Sequence, residues 1–239
     1  MNIDIFITII LTSVVQSFFG TGVLLFGTPI LLILGKGFQT TLVILLPASI
    51  LINFFQIRNS YKTIDRLFYK NLILISLPLI CLSLYLSQSK EINANFLIGI
   101  FLIIISLQSK IGTIKRTLDW LLNYEKFYLA IMGVFHGLTN LGGSLLSAAI
   151  LSQDLTKDSK RSTIAVSYCS MAVIQIITLI ATLRFDIFLN KSYLLYWATA
   201  PTVFFIVEKY LYYSINEKLY KIISNVFLFL MGIIILIKT

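Results

Sequence analysis

Eight apolar runs, several approaching or exceeding the length that crosses a bilayer, confine this chain to one kind of environment. They cover Ile3–Leu34, Thr40–Ile57, Asn71–Leu86, Phe96–Leu107, Phe127–Leu151, Ile164–Leu183, Tyr193–Tyr213 and Leu219–Ile237. A helix needs about 20 apolar residues to span the hydrocarbon core. The chain has 239 residues, 58% of them hydrophobic and 12% charged, at a mean hydropathy of +0.92. A soluble domain of that size exposes large apolar patches. The runs are continuous, without the alternation of barrel strands. The expectation is an all-α, polytopic helical membrane protein.

Several function classes fall away. The first run has no basic n-region and no small-residue cleavage site, so it reads as a retained segment and not a removable signal. Cys81 and Cys169 lie in apolar runs and read as small core residues. The net charge of +9 sits in the connections, where membrane topology explains it without nucleic acid. No P-loop, metal-ligand spacing or nucleophile elbow appears, so no cofactor and no metal are expected. A lone histidine with no nearby acid is a poor catalytic set, which argues against an enzyme.

The halves of the chain resemble each other. A connection at 110–126 separates a first repeat, 1–109, from a second, 127–239. Shifted by 120 residues, Gln16 meets His136, Gly20 meets Asn140, Gly22 meets Gly142 and Gly27 meets Ser147. Two residues more align Thr41 with Thr163 and Asn53 with Gln175. Each half has four apolar segments, the first interrupted by glycine. This is the pattern of a duplicated transporter with a site at the repeat interface.

Two topologies are open. If each interrupted run crosses once, eight spans result, and Lys and Arg divide 11 to 8 between the sides. If each dips in and returns, the halves are inverted. One side then collects 58–70, 110–126, 154–161 and 209–221, with 14 of the 19 Lys and Arg residues. The other keeps Lys36, Lys90, Arg184, Lys191 and Lys238. The second distribution fits the positive-inside rule far better and places the basic connections in the cytoplasm. A single helix over Ile3–Leu34 is about 48 Å long, well beyond a core of about 30 Å. The 25 residues of Phe127–Leu151 also suit one tilted, broken span.

Backbone freed by a break is tolerated in a membrane only inside protein or beside a wet cavity. A re-entrant hairpin leaves helix N-termini near the midplane, with amide groups and a positive dipole end. Glycine there lets an oxyanion approach without a lysine or arginine. The candidate lining is Gln16, Gly20, Thr21, Gly22, Asn140, Gly142, Gly143 and Ser144, completed by Thr41, Asn53, Gln56, Thr163 and Gln175 on the following helices. His136 is the one intramembrane imidazole. It titrates near neutrality and suits uptake of a proton with an anion, or, neutral, a bond across helices. Close helix packing explains single glycines equally well; two breaks at matching places favour function.

These motifs resemble a known family. G-T-G-x4-G-T-P-I-L (Gly20–Leu31) followed by T-x5-P-A-S-x3-N (Thr41–Asn53) is similar to the TauE/SafE sulfite exporter family. Gly137–Gly143 and Thr163 look like its second copy. Val23 and Leu24 depart from the usual glycine cluster, and Asn140 stands where glycine is common. The resemblance implies a secondary permease of the bacterial inner membrane for small sulfur-containing anions such as sulfite or organosulfonates, with a coupling proton or cation and the lipid bilayer as partners. A homo-oligomer is compatible with it. A permease or channel for another anion such as a carboxylate, and a membrane-embedded structural or assembly subunit, stand as the alternatives.

Overall fold

The computed structural model describes residues 2–58, 61–89, 93–108, 110–183, 185–211 and 217–238. Among them the regular elements are all helical. In the first half these are α1 (Ile3–Phe19), α2 (Val23–Ile33), α3 (Phe38–Arg58), α4 (Arg66–Asn71), α5 (Leu77–Ser89) and α6 (Ala94–Leu107). Then follow α7 (Gly112–Leu122), α8 (Glu125–Thr139), α9 (Gly143–Leu151), α10 (Lys157–Leu183), α11 (Lys191–Leu211) and α12 (Glu217–Lys238). Phe38–Arg58, Arg66–Gln88 and Lys157–Thr182 are each long and apolar enough to cross a membrane. The chain is a multi-pass helical membrane protein.

Local chemistry sets the element boundaries. Asp65 caps α4, its carboxylate accepting from the amides of Leu67 and Phe68, and Asn93 caps α6 through the amide of Phe96. A π-helical stretch, Leu72–Ser76, joins α4 to α5. Pro78 follows it, and a proline lacks the N–H that would close the turn onto Leu74. The connection at 110–126, which reads as polar loop, contains the amphipathic α7. It leaves α6 at 96° and keeps Trp120 exposed.

Apolar groups cover the outside and fill most of the core, and the polar side chains of the spans are kept inside. Ile3, Ile7 and Leu11 stand on the exposed face of α1, while Thr8, Thr12, Ser13 and Gln16 are buried. This is what lipid demands. Between helices in hydrocarbon the driving force is close packing and hydrogen bonding, not water exclusion. Gly99 and Gly232 supply such packing, since a Cβ on either would fall within 3.1 Å of the other's carbonyl oxygen. Helices α3 and α10 pack together, as do α6 and α12, α1 and α11, and α5 and α8.

Contacts sort the connections to two ends. At one end, Asn2, Lys36, Asn190 and Tyr193 line a common cleft. The Asn2 amide donates to the Tyr196 hydroxyl at 2.9 Å, Gln39 donates to Gln88, and Lys238 donates to the Ile33 carbonyl at 2.9 Å. At the other end, Thr63 and Ser162 hydroxyls lie 2.9 Å apart. There Asn71 donates to Glu125 at 2.7 Å, and Arg161 pairs with Glu208. Both ends of the α1–α2 unit therefore lie together, and the unit is a hairpin. Lys36, Lys191 and Lys238 fall at the first end; the described parts of 58–70, 110–126 and 154–161 fall at the second. Lys90, Arg184 and residues 212–216 lie outside the described residues.

In a background with Cys81 and Cys169 replaced by serine, the variants Gln39→Cys and Ser192→Cys are expected to react with an impermeant maleimide from one side of the membrane. Lys62→Cys and Asp158→Cys are expected to react from the other. Labelling of Gln39→Cys and Ser192→Cys from opposite sides would rule out the paired hairpins.

Candidate functional site

Helix α1 stops at Gly20, which has a φ of 72° and donates its N–H to the Gln16 carbonyl at 2.8 Å. Helix α8 stops at Asn140, with a φ of 62° and an N–H bonded to the His136 carbonyl at 2.7 Å. Both are left-handed helix ends, a conformation that glycine adopts freely and asparagine tolerates best among the rest. Asn140 is the one non-glycine residue with positive φ among those described. It stands in place of glycine because it meets the same backbone requirement.

After each stop the chain doubles back against the helix it has just left. A Cβ on Gly22 would lie 2.6 Å from the Gln16 nitrogen and 2.9 Å from the Thr12 carbonyl oxygen. One on Gly142 would lie 2.6 Å from the His136 Cβ and 2.8 Å from the Met132 carbonyl oxygen. No larger residue permits that approach. New helices start at once, with Phe26 N–H bonded to the Gly22 carbonyl at 2.9 Å and Leu146 N–H to the Gly142 carbonyl at 3.0 Å. Gly137 packs α8 onto α5, where a Cβ would meet Ser83 Oγ at 2.0 Å.

A buried polar cluster surrounds the breaks. Gln16 Nε2 donates to Asn53 Oδ1 at 3.4 Å, and Gln16 Oε1 accepts from the Val23 amide at 2.9 Å. Asn53 Nδ2 donates to the Ser49 carbonyl at 2.8 Å. In the second half, His136 Nε2 and Gln175 Oε1 lie 3.0 Å apart. Asn140 Nδ2 donates to Thr28 Oγ1 at 3.0 Å, tying the tip of the second hairpin to the flank of α2. The side chains of Gln16, Thr21, Thr41, Asn53, His136, Asn140, Thr163 and Gln175 are all buried. Thr163 serves the end of the bundle, where it accepts from the Asp65 amide at 2.9 Å. Gln56 and Ser144 are half-buried, and Ser144 donates to the Leu141 carbonyl at 2.9 Å. Gly143 meets the Tyr168 ring, whose hydroxyl lies 1.6 Å from where a Cβ would stand.

Thr28 and Ser49, letters of the first-half motif, join this cluster, as do Ser167 and Tyr168, which carry no motif. A four-residue interval accounts for two of them, Ser49 and Ser167. Thr41, Leu45, Ser49 and Asn53 form one stripe of α3; Thr163, Ser167, Met171 and Gln175 form the matching stripe of α10. Residues at that spacing share a helix face, and all eight are buried. Among the described residues no lysine, arginine or carboxylate is buried. The cluster consists of neutral donors and acceptors with one imidazole.

Compared with known proteins, residues 5–235 match the family described as Sulfite exporter TauE/SafE. No curated protein and no solved structure matches the chain.

The turn geometry separates two glycines only two residues apart. Gly20→Ala meets nothing within 4 Å and costs only left-handed strain, about 1 kcal/mol. Gly22→Ala drives a methyl into backbone and is expected to cost about 3 kcal/mol, the upper range for overpacking. Thermal unfolding in detergent reads the difference, and equal shifts would count against a doubled-back chain at Gly22.

Proposed function

This chain belongs to the sulfite exporter TauE/SafE family, a family of membrane transporters, and on that premise we propose that it is a secondary permease for small sulfur-containing anions. Sulfite and organosulfonates are the substrate class, bound at the helix breaks within the bacterial inner membrane. The observation that carries this reading is the pair of buried breaks, each closed by a left-handed residue and each facing an amide from the following helix. Sulfur oxygens accept hydrogen bonds from such amides and hydroxyls, and a helix start adds a favourable dipole. Neutral donors hold the anion weakly enough for release.

Residues 1–109 and 127–239 act as inverted repeats in this proposal. The pairing of α1 with α11 and of α5 with α8 is what a twofold axis in the membrane plane generates. Alternating access moves one repeat against the other, driven by a gradient of protons or another cation. The four basic connections face the cytoplasm. The cleft holding Lys36 is lined by amides, hydroxyls and Ile5, with no carboxylate, and suits an outer mouth for anions.

Purified protein in liposomes is expected to catalyse exchange of labelled sulfite, and net flux is expected to respond to an imposed ion gradient. Flux indifferent to every gradient indicates a channel. Exchange of acetate or succinate but not sulfite indicates a carboxylate permease, and no exchange of any anion returns the chain to a structural role. Gly143→Val, whose added atoms displace Tyr168, is expected to abolish exchange while the protein remains in the membrane.

A further inference from the structure

The two breaks are alike in backbone and unlike in side chains. In the first, every polar atom of the paired amides is engaged. Gln16 gives Nε2 to Asn53 and Oε1 to the Val23 amide, and Asn53 Nδ2 reaches both the carbonyl and the hydroxyl of Ser49. The Gln16 carbonyl thereby caps the start of α2. In the second break the corresponding pair, His136 and Gln175, makes only its mutual contact. His136 Nδ1, Gln175 Nε2, Asn140 Oδ1 and Ser167 Oγ have no hydrogen-bond partner, although each residue is at most 1% exposed. Polar atoms left unpaired in a core are uncommon, and several together mark a place where a ligand or solvent is received.

We propose that the protein has one anion site per chain, at the start of α9, and that Gln16 permanently occupies the equivalent place at the start of α2. The proposal rests on the transport reading above. A glutamine carbonyl oxygen bonded to a helix-start amide has the position and the hydrogen-bond role of an oxyanion oxygen. In the second half, imidazole replaces that amide and turns toward Gln175, so the start of α9 lacks an internal cap of this kind. Gln175 Nε2 and the Ser167 hydroxyl are donors on the helix facing Gly143, and they suit two oxygens of a sulfite or sulfonate group. The tip of the second hairpin is tied through Asn140 to Thr28 inside α2, not to the Val23 amide that Gln16 closes.

The test is equilibrium binding of radiolabelled sulfite to purified protein. One sulfite per chain is expected for the wild type; two would overturn the single-site assignment. His136→Gln installs at the second break the residue that closes the first. It is expected to lower sulfite affinity about tenfold or more, with thermal unfolding unchanged. Gln175→Met keeps the volume, removes the unpaired donor and is expected to give a similar loss, which preserves the test if His136→Gln fails to fold. Affinity within twofold of wild type in a folded variant of either kind overturns the inference and leaves transport intact. A wild type that binds neither sulfite nor methanesulfonate overturns the transport reading and this inference together.

Discussion

A helix that ends inside an apolar bundle must find partners for the backbone groups it frees, and the architecture of this protein follows from that demand. Water is absent from the hydrocarbon region, and each unmet amide or carbonyl costs several kcal/mol there. The chain meets the demand with left-handed ends at Gly20 and Asn140, which return an N–H to the preceding turn. Gly22 and Gly142 then let the next helix begin flush against the last. Side-chain amides supply what the backbone cannot, most directly where Gln16 caps the start of α2.

The rest of the bundle holds those places and keeps them away from lipid. Helices α3 and α10 pack together and carry matching stripes of buried polar residues. Asn53 and Gln175 reach from these stripes to Gln16 and His136. Lipid-facing positions such as Ile3, Ile7 and Leu11 carry the solvation burden outside. Apolar side chains fill most of the interior as well as the outer face, and the buried polar residues are kept among them because lipid offers no hydrogen bonds. Recognition by neutral groups suits transport, because a buried lysine or arginine binds an anion strongly and releases it slowly.

Much of the arrangement was legible in the residues. Eight apolar runs and their basic connections gave helical spans and a preferred grouping of loops. The 120-residue shift paired Gly20 with Asn140 and Gly22 with Gly142, and these pairs share left-handed conformation or close approach in space. Asn53 and Gln175 were legible as amides on the helices that follow. The helix α7 was less so, because its apolar residues Ile114, Leu118, Leu121 and Leu122 recur at helical spacing over only three turns. Gly143 reads as an anion-facing glycine, yet it packs under Tyr168. A glycine has the same letter whether a ligand or a neighbouring ring needs the room.

Sequence by itself determined the environment, the helical class, the places where winding fails and the kinds of polar group nearby. Those are properties of composition, periodicity and local backbone preference, and they act over a few residues. Tertiary structure alone decided which amide meets which break, that Gln16 closes one helix start while His136 turns to Gln175, and that Asn140 docks on Thr28. These choices depend on angles and separations of helices distant along the chain, where a difference of one bond length decides whether a donor is paired or left open.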